Sequence, residues 1–234
     1  MKARQRLVVA LDTSDQSQAL AWTRDLGPEV GWFKVGLELF TAAGPDLVRD
    51  IKNLGGRVFL DLKLHDIPAT VRGALNAAQG LGAEMITVHI QAGPDWIRAV
   101  APRERLKVVG VSLLTSLAPQ DLEALGQRTN DPSALVLDRA RLALEAGLSG
   151  VVCSGREAAA VRSVLGPEKL IICPGIRPAW SLVDGDDQAR VTTPAQAVRA
   201  GADLIVVGRP ILGAPDPVRA AQEVVQELAQ AELP

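Results

Sequence analysis

Four charged residues stand at or near the ends of short apolar runs. Asp12 closes the run LVVAL at 7–11, Lys34 lies within WFKVG at 32–36, and Asp61 and Lys63 close RVFLDLK at 57–63. Side chains alternate along a strand, so Asp61 and Lys63 share a face with Phe59, and Asp12 shares one with Val8 and Ala10. Two carboxylates and two ammonium groups can therefore converge on one cleft. Burying that much charge for structure alone costs several kcal/mol per ion unless the pairing is good, and such arrays mark functional sites more often than cores. Singly, each residue has a plainer role. Asp12 suits the N-cap of the segment that follows it, Lys34 suits a lysine whose stem covers apolar surface, and Asp61 with Lys63 suits a structural ion pair. Asp66, three residues beyond Lys63, suits a helix cap ahead of Pro68.

A second group of residues suits an anion. The run LIICPGI ends in Pro174-Gly175-Ile176-Arg177, and LIVVGR ends in Gly208-Arg209. Glycines allow backbone N–H groups to approach a ligand closely, and arginines make charge-assisted contacts to phosphate. Gln188 lies on the intervening segment, where it could close over the anion. His65 and His89 are the only histidines. Neither has a spaced partner, which disfavours a histidine metal site; His89, within MITVHI, suits a satisfied core histidine. Cys153 and Cys173 both sit in apolar runs and suit buried free thiols.

These residues need a scaffold that brings strand ends together. Eight apolar runs of four to eight residues begin near 7, 32, 57, 85, 107, 150, 170 and 204. Their Val, Ile and Leu content is that of strands buried on both faces. Helix-like stretches lie between them, including SDQSQALAWTRDL, IPATVRGALNAAQGLG and SALVLDRARLALEAG, and several end in glycine. The alternation predicts an α/β chain forming a single (β/α)8 TIM barrel over 1–234, with its chemistry at the C-terminal strand ends. No Gly-x-Gly-x-x-Gly follows the first run, which weakens an open dinucleotide-binding sheet. Two connections look long, 115–132 and 177–192, and long loops in compact domains are often lids.

The chain has 234 residues, 47% hydrophobic and 22% charged, with a formal net charge of −2. This is an ordinary globular balance. No block of Lys and Arg occurs, which disfavours nucleic acid as a partner. The apolar run near the N-terminus is too short for a signal peptide or a membrane span, so the cytoplasm is the expected location and no membrane partner is expected.

The segment Asp61-Leu62-Lys63-Leu64-His65-Asp66-Ile67-Pro68 resembles the D-x-K-x-x-D-I-P signature of the orotidine 5′-phosphate decarboxylase family. The resemblance extends to ALD at 10–12, FKVGLELF at 33–40, SLLTS at 112–116, CPGIR at 173–177, DDQAR at 186–190 and VGRPI at 207–211. It implies cofactor-independent decarboxylation of orotidine 5′-monophosphate to uridine 5′-monophosphate, with no metal. Lys63 would protonate the ring carbon, Asp61 would lie beside the substrate carboxylate, Lys34 would pair with Asp61 and reach the ribose, and Asp12 would bind a ribose hydroxyl. Asp66, with Ile67 and Thr70 on the same segment, would reach the neighbouring site of a homodimer. Thr115 and Ser116 would sit near the pyrimidine, with the one that touches it left open. Arg177, Gln188, Gly208 and Arg209 would serve the phosphate. Three rivals remain: a Mg2+-dependent sugar-phosphate barrel sharing D-x-K-x-x-D, a Schiff-base aldolase using Lys34 or Lys63, and a nucleotide-binding barrel without catalysis.

Overall fold

The eight Val-, Ile- and Leu-rich runs become eight strands, because a run with no polar alternate face is stable only where both faces are covered. The structure is a computed structural model and describes residues 2–101, 105–127, 129, 131–181 and 192–231. Helix α1 (Ala3–Arg6) precedes β1 (Leu7–Ala10), and α2 (Gln16–Leu26) leads to β2 (Trp32–Gly36). Helices α3 (Leu37–Ala43) and α4 (Asp46–Asn53) lead to β3 (Val58–Leu64), α5 (Pro68–Gly80) to β4 (Met85–His89), and α6 (Pro94–Val100) to β5 (Lys107–Val111). Helices α7 (Pro119–Ala124) and α8 (Pro132–Glu145) precede β6 (Gly150–Val152), α9 (Ala158–Leu165) precedes β7 (Leu170–Cys173), and α10 (Pro194–Arg199) precedes β8 (Leu204–Val207). Helices α11 (Arg209–Leu212) and α12 (Pro217–Ala231) follow. All neighbouring strands pair in parallel, and β1 pairs with β8, so the sheet closes into a barrel.

Strand alternation divides the core in two. Val8, Ala10, Trp32, Phe59, Met85, Val109, Ile172, Leu204 and Val206 fill the barrel interior. Val9, Phe33, Leu60, Ile86 and Val108 face outward and pack beneath the helices. The inward residues Ala10, Trp32 and Phe59 each stand two positions before Asp12, Lys34 and Asp61, so the same alternation that buries the first set turns the second toward the mouth.

Local signals explain the helix ends. Asp15 caps α2, its Oδ1 accepting from the backbone N–H of Ser17 at 2.8 Å and Gln18 at 3.2 Å. Asp12 is therefore not the cap and is left for the mouth. The N-cap of α5 is Ile67, not Asp66, and Pro68 supplies the first turn. Gly166 follows α9 at φ 68°, a positive value that glycine adopts without strain. Both expected long connections carry structure: α7 forms within the first, and a 3-10 turn spans Ala179–Ser181 in the second. The base of the second is closed where Arg177 N donates to Thr192 O at 3.1 Å.

Cys153 and Cys173 are buried and unbridged, as expected. A hydrogen bond with Cys173, followed by burial, pushes the Cys153 thiol well above its ordinary value, which suits an inert thiol. Among the described residues no helix is long and apolar enough to cross a membrane.

Candidate active site

The four charges form one alternating chain at the barrel mouth. Lys34 Nζ lies 3.3 Å from Asp12 Oδ1 and 3.8 Å from Asp61 Oδ2, and Lys63 Nζ lies 2.8 Å from the same Asp61 oxygen. Asp61 Oδ2 is thus held between two ammonium groups. The side chains of Lys34 and Asp61 are only 12% and 16% exposed, so their attraction is screened less than a surface pair's. Asp12, at 54%, is the wet end.

Lys63 reaches this position by a route that simple alternation does not describe. Leu60 pairs with Ile86 and Leu64 with Val88, so β3 advances four residues while β4 advances two. A bulge of this kind re-aims a side chain. Within it, Lys63 adopts φ 49°, the only non-glycine residue with positive φ among the described residues. Such a conformation costs about 1–3 kcal/mol, persists only when its surroundings enforce it, and clusters at functional sites. Asp61 and Lys63 do face one cavity, but through the bulge rather than through an unbroken two-residue period.

Two open cavities meet over this chain. One, of about 140 Å³, joins Lys34, Asp61 and Lys63 to an apolar wall that includes Leu113, Leu114 and Pro174, with Thr115 at its edge. The other, of about 210 Å³, joins Asp12 and Lys34 to Gly175, Arg177, Gly208 and Arg209. Gly175 has φ 70°, which a side chain would strain. A Cβ on Gly208 would meet Asp12 Oδ2 at 3.0 Å, so the glycine gives the carboxylate its room. The pair of cavities can accept a flat apolar ring at one end and an anion at the other, with the charge chain between them.

The remaining sequence-derived candidates distribute as follows. Thr115 lines the apolar cavity, whereas Ser116 is exposed and does not line it. Asp66, Ile67 and Thr70 are exposed beside the mouth and line neither cavity. Asp66 Oδ1 accepts from Ile67 N at 2.6 Å, and its carbonyl accepts from Trp96 Nε1 at 2.6 Å. Gln188 lies outside the described residues. Among the described residues no cluster of three or more His, Cys, Asp or Glu side chains is placed to hold a metal ion.

His89 is not a core histidine. It is half-buried next to the site, with its ring centroid 5.7 Å from that of His65. Burial, then the charges of His65, Lys63 and Arg139, push its pKa below the ordinary 6.5 against an opposing pull from Asp61, which favours the neutral ring.

Sequence reasoning missed two polar residues. Thr87 is fully buried on β4; its hydroxyl donates to Asp61 Oδ1 at 3.0 Å and accepts from Lys63 N at 2.8 Å. The only cue was one hydroxyl in the apolar run MITVHI. Arg139, on α8, is 7% exposed and donates to the carbonyl of Ser112 and to Gln127 Oε1. It anchors the start of the segment that supplies Leu113, Leu114 and Thr115, and burial pushes its guanidinium below the ordinary value. It lies within a helical run of mixed charge, which carries no cue to an inward direction.

Known proteins place this geometry. An Anaeromyxobacter dehalogenans protein named orotidine 5′-phosphate decarboxylase is 49% identical over 97% of this chain and 100% of its own length. One of the same name from Syntrophomonas wolfei is 44% identical over 98% and 100%. The crystal structure of orotidine 5′-phosphate decarboxylase from Lactobacillus acidophilus superposes with a TM-score of 0.81 at 34% identity, covering 95% of this chain and 98% of that one. A family model matches residues 5–224, which takes in every strand and every candidate residue of the mouth. The chain belongs to the orotidine 5′-phosphate decarboxylase / HUMPS family.

Proposed function

We propose that the chain decarboxylates orotidine 5′-monophosphate to uridine 5′-monophosphate and carbon dioxide, without a metal or organic cofactor. The observation that carries this reading is the Lys34–Asp61–Lys63 array, with both ammonium groups within 3.8 Å of one carboxylate oxygen at the junction of an apolar and a cationic cavity. The pyrimidine fits the apolar cavity with Thr115 at its edge, and Ser116 lies next to it on the same turn. The ribose lies over Asp12 and Lys34. The phosphate takes Arg177, Gly208 and Arg209, with Gln188 as a further ligand that the family resemblance implies.

In this reading the bond from C6 to the carboxylate carbon breaks, carbon dioxide leaves, and the electron pair stays on C6. Lys63 faces the developing carbanion and then transfers its Nζ proton to C6; solvent returns the proton to the amine. An ammonium about 4 Å from a full negative charge contributes about 4 kcal/mol at an effective dielectric near 20. A preorganised site supplies that field without reorganising water. Asp61 lies beside the substrate carboxylate in this reading, so repulsion in the bound substrate is relieved as carbon dioxide departs. Phosphate binding, remote from C6, holds the ring in place. Asp66, Ile67 and Thr70 complete the neighbouring site of a homodimer, which accounts for their exposure beside a mouth whose cavities they do not line.

The test is loss of pyrimidine absorbance from orotidine 5′-monophosphate in excess EDTA, with Lys63→Ala alongside. Rapid turnover by the wild type, and a rate lower by about four orders of magnitude or more in the variant, is expected for a residue that both stabilises and protonates. A folded wild type without turnover overturns the reading. Because the matched family joins two groups, sugar phosphates with Mg2+ are then the next substrates to assay.

A further inference from the structure

We infer that Thr87 is a positioning residue for the decarboxylation proposed above: its hydroxyl holds both Asp61 and the strained backbone of Lys63 in working geometry. The inference rests on that reading of the mouth, but its structural half stands apart from it. Thr87 is 0% exposed and sits on β4 opposite the bulge. In an unbroken ladder the backbone groups of odd-numbered β3 residues, Lys63 among them, would face β2, as Arg57 O does in accepting from Phe33 N, while even-numbered ones face β4, as Val58 O does in accepting from Glu84 N. Here the register shift between Leu60 and Leu64 turns the Lys63 N–H toward β4 instead, where it donates to Thr87 Oγ1 at 2.8 Å. The hydroxyl has one proton, which it gives to Asp61 Oδ1 at 3.0 Å. That leaves Asp61 Oδ2 for Lys63 Nζ at 2.8 Å and Lys34 Nζ at 3.8 Å.

One side chain therefore sets three features of the site. It satisfies the part-buried backbone N–H of Lys63. It favours the φ of 49° at Lys63 over an ordinary extended conformation. It also fixes which Asp61 oxygen faces the two lysines. Neither lining cavity includes Thr87, so it acts through Asp61 and Lys63 rather than on the substrate.

Thr87→Val replaces the hydroxyl by a methyl, and Thr87→Ser keeps the hydroxyl while losing a methyl. Loss of one charge-assisted and one backbone hydrogen bond predicts a kcat lower by roughly tenfold or more in Thr87→Val, with KM for orotidine 5′-monophosphate within about twofold of wild type. Thr87→Ser recovers most of that kcat, which a packing role would not allow. Amide hydrogen exchange at Lys63, followed by NMR, reads the geometry without turnover: it accelerates in Thr87→Val and returns in Thr87→Ser. If Thr87→Val does not fold, Thr87→Cys, with a weak sulfur donor of similar size, is read in its place. A valine variant with wild-type kcat, or serine and valine variants equally slowed, overturns the inference. If the wild type itself does not decarboxylate, the proposed reaction has failed, and Lys63 exchange alone decides: unchanged exchange in Thr87→Val overturns the positioning role too.

Discussion

Arg177 and Arg209 occupy the same cavity but differ in burial, and the difference separates binding from folding. Arg177 is 6% exposed and its backbone closes the base of the following loop, so a substitution there disturbs both. Arg209 is exposed at the start of α11. A charge-assisted contact contributes about 1.5–3 kcal/mol, so Arg209→Ala is expected to lower kcat/KM roughly ten- to hundredfold. Surface substitutions change stability by only about 0.5 kcal/mol, so the melting temperature should move by about 2 °C at most. Steady-state kinetics beside calorimetry checks both; an unchanged kcat/KM removes the phosphate assignment. At this scale charge made the site legible. Asp12, Lys34, Asp61, Lys63, Arg177 and Arg209 each interrupt or end an apolar run, and the structure gathers all six at one mouth. Thr87 and Arg139 were not legible. A threonine is ordinary in a strand and an arginine ordinary in a helix, and only burial and partners distinguish these two.

The strands were the most legible elements, because burial on both faces writes them as unbroken apolar runs, and β2 matches its run residue for residue. The short helices were less so. Helix α3 has seven residues and α4 eight, with Gly44 and Pro45 between them, too few turns for a helical period to register. The bulge in β3 left no mark at all, since the residue at positive φ is a lysine and not the glycine or asparagine that usually signals it. Where strands meet most closely, small residues carry the barrel. A Cβ on Gly150 would lie 2.1 Å from the Leu170 carbonyl oxygen, a backbone atom that moves only with β7. Gly110 is also tight, but against the side chains of Ile90 and Leu148 rather than against backbone. Overpacking costs about 1–3 kcal/mol, and Gly150→Ala belongs at the upper end, a loss of roughly 6–12 °C in melting temperature for a chain of this size. Gly110→Ala should lose less than half as much. Thermal unfolding of the two variants checks the order, and the reverse order would show that β6 and β7 part more easily than their contacts indicate.

At the scale of the whole molecule, the proposed homodimer bears on three residues that a single barrel leaves outside its cavities. Asp66, Ile67 and Thr70 belong to the same signature segment as Asp61 and Lys63, yet they line neither cavity, and Ile67 is 66% exposed. Leu37, 56% exposed, lines the open side next to Asp12, Lys34 and Lys63. Large apolar side chains at a functional mouth suit a covering surface. A two-fold dimer would satisfy both observations, because the same patch on each copy meets its counterpart and Asp66 of each enters the other's site. This arrangement predicts complementation. Lys63→Ala and Asp66→Ala are each expected to be nearly inactive as homodimers. Unfolding and refolding them together makes mixed dimers in which one site carries both substitutions and the other carries neither. If exchange is random, half of the dimers are mixed, and about a quarter of the wild-type activity per protomer should return. Activity that stays at the level of the separate variants would place Asp66 and Lys63 in the same protomer's site, and the shared-site dimer would be withdrawn. The charge chain of Asp12, Lys34, Asp61 and Lys63 would be untouched by that outcome, because its distances are set within one barrel and do not depend on a partner.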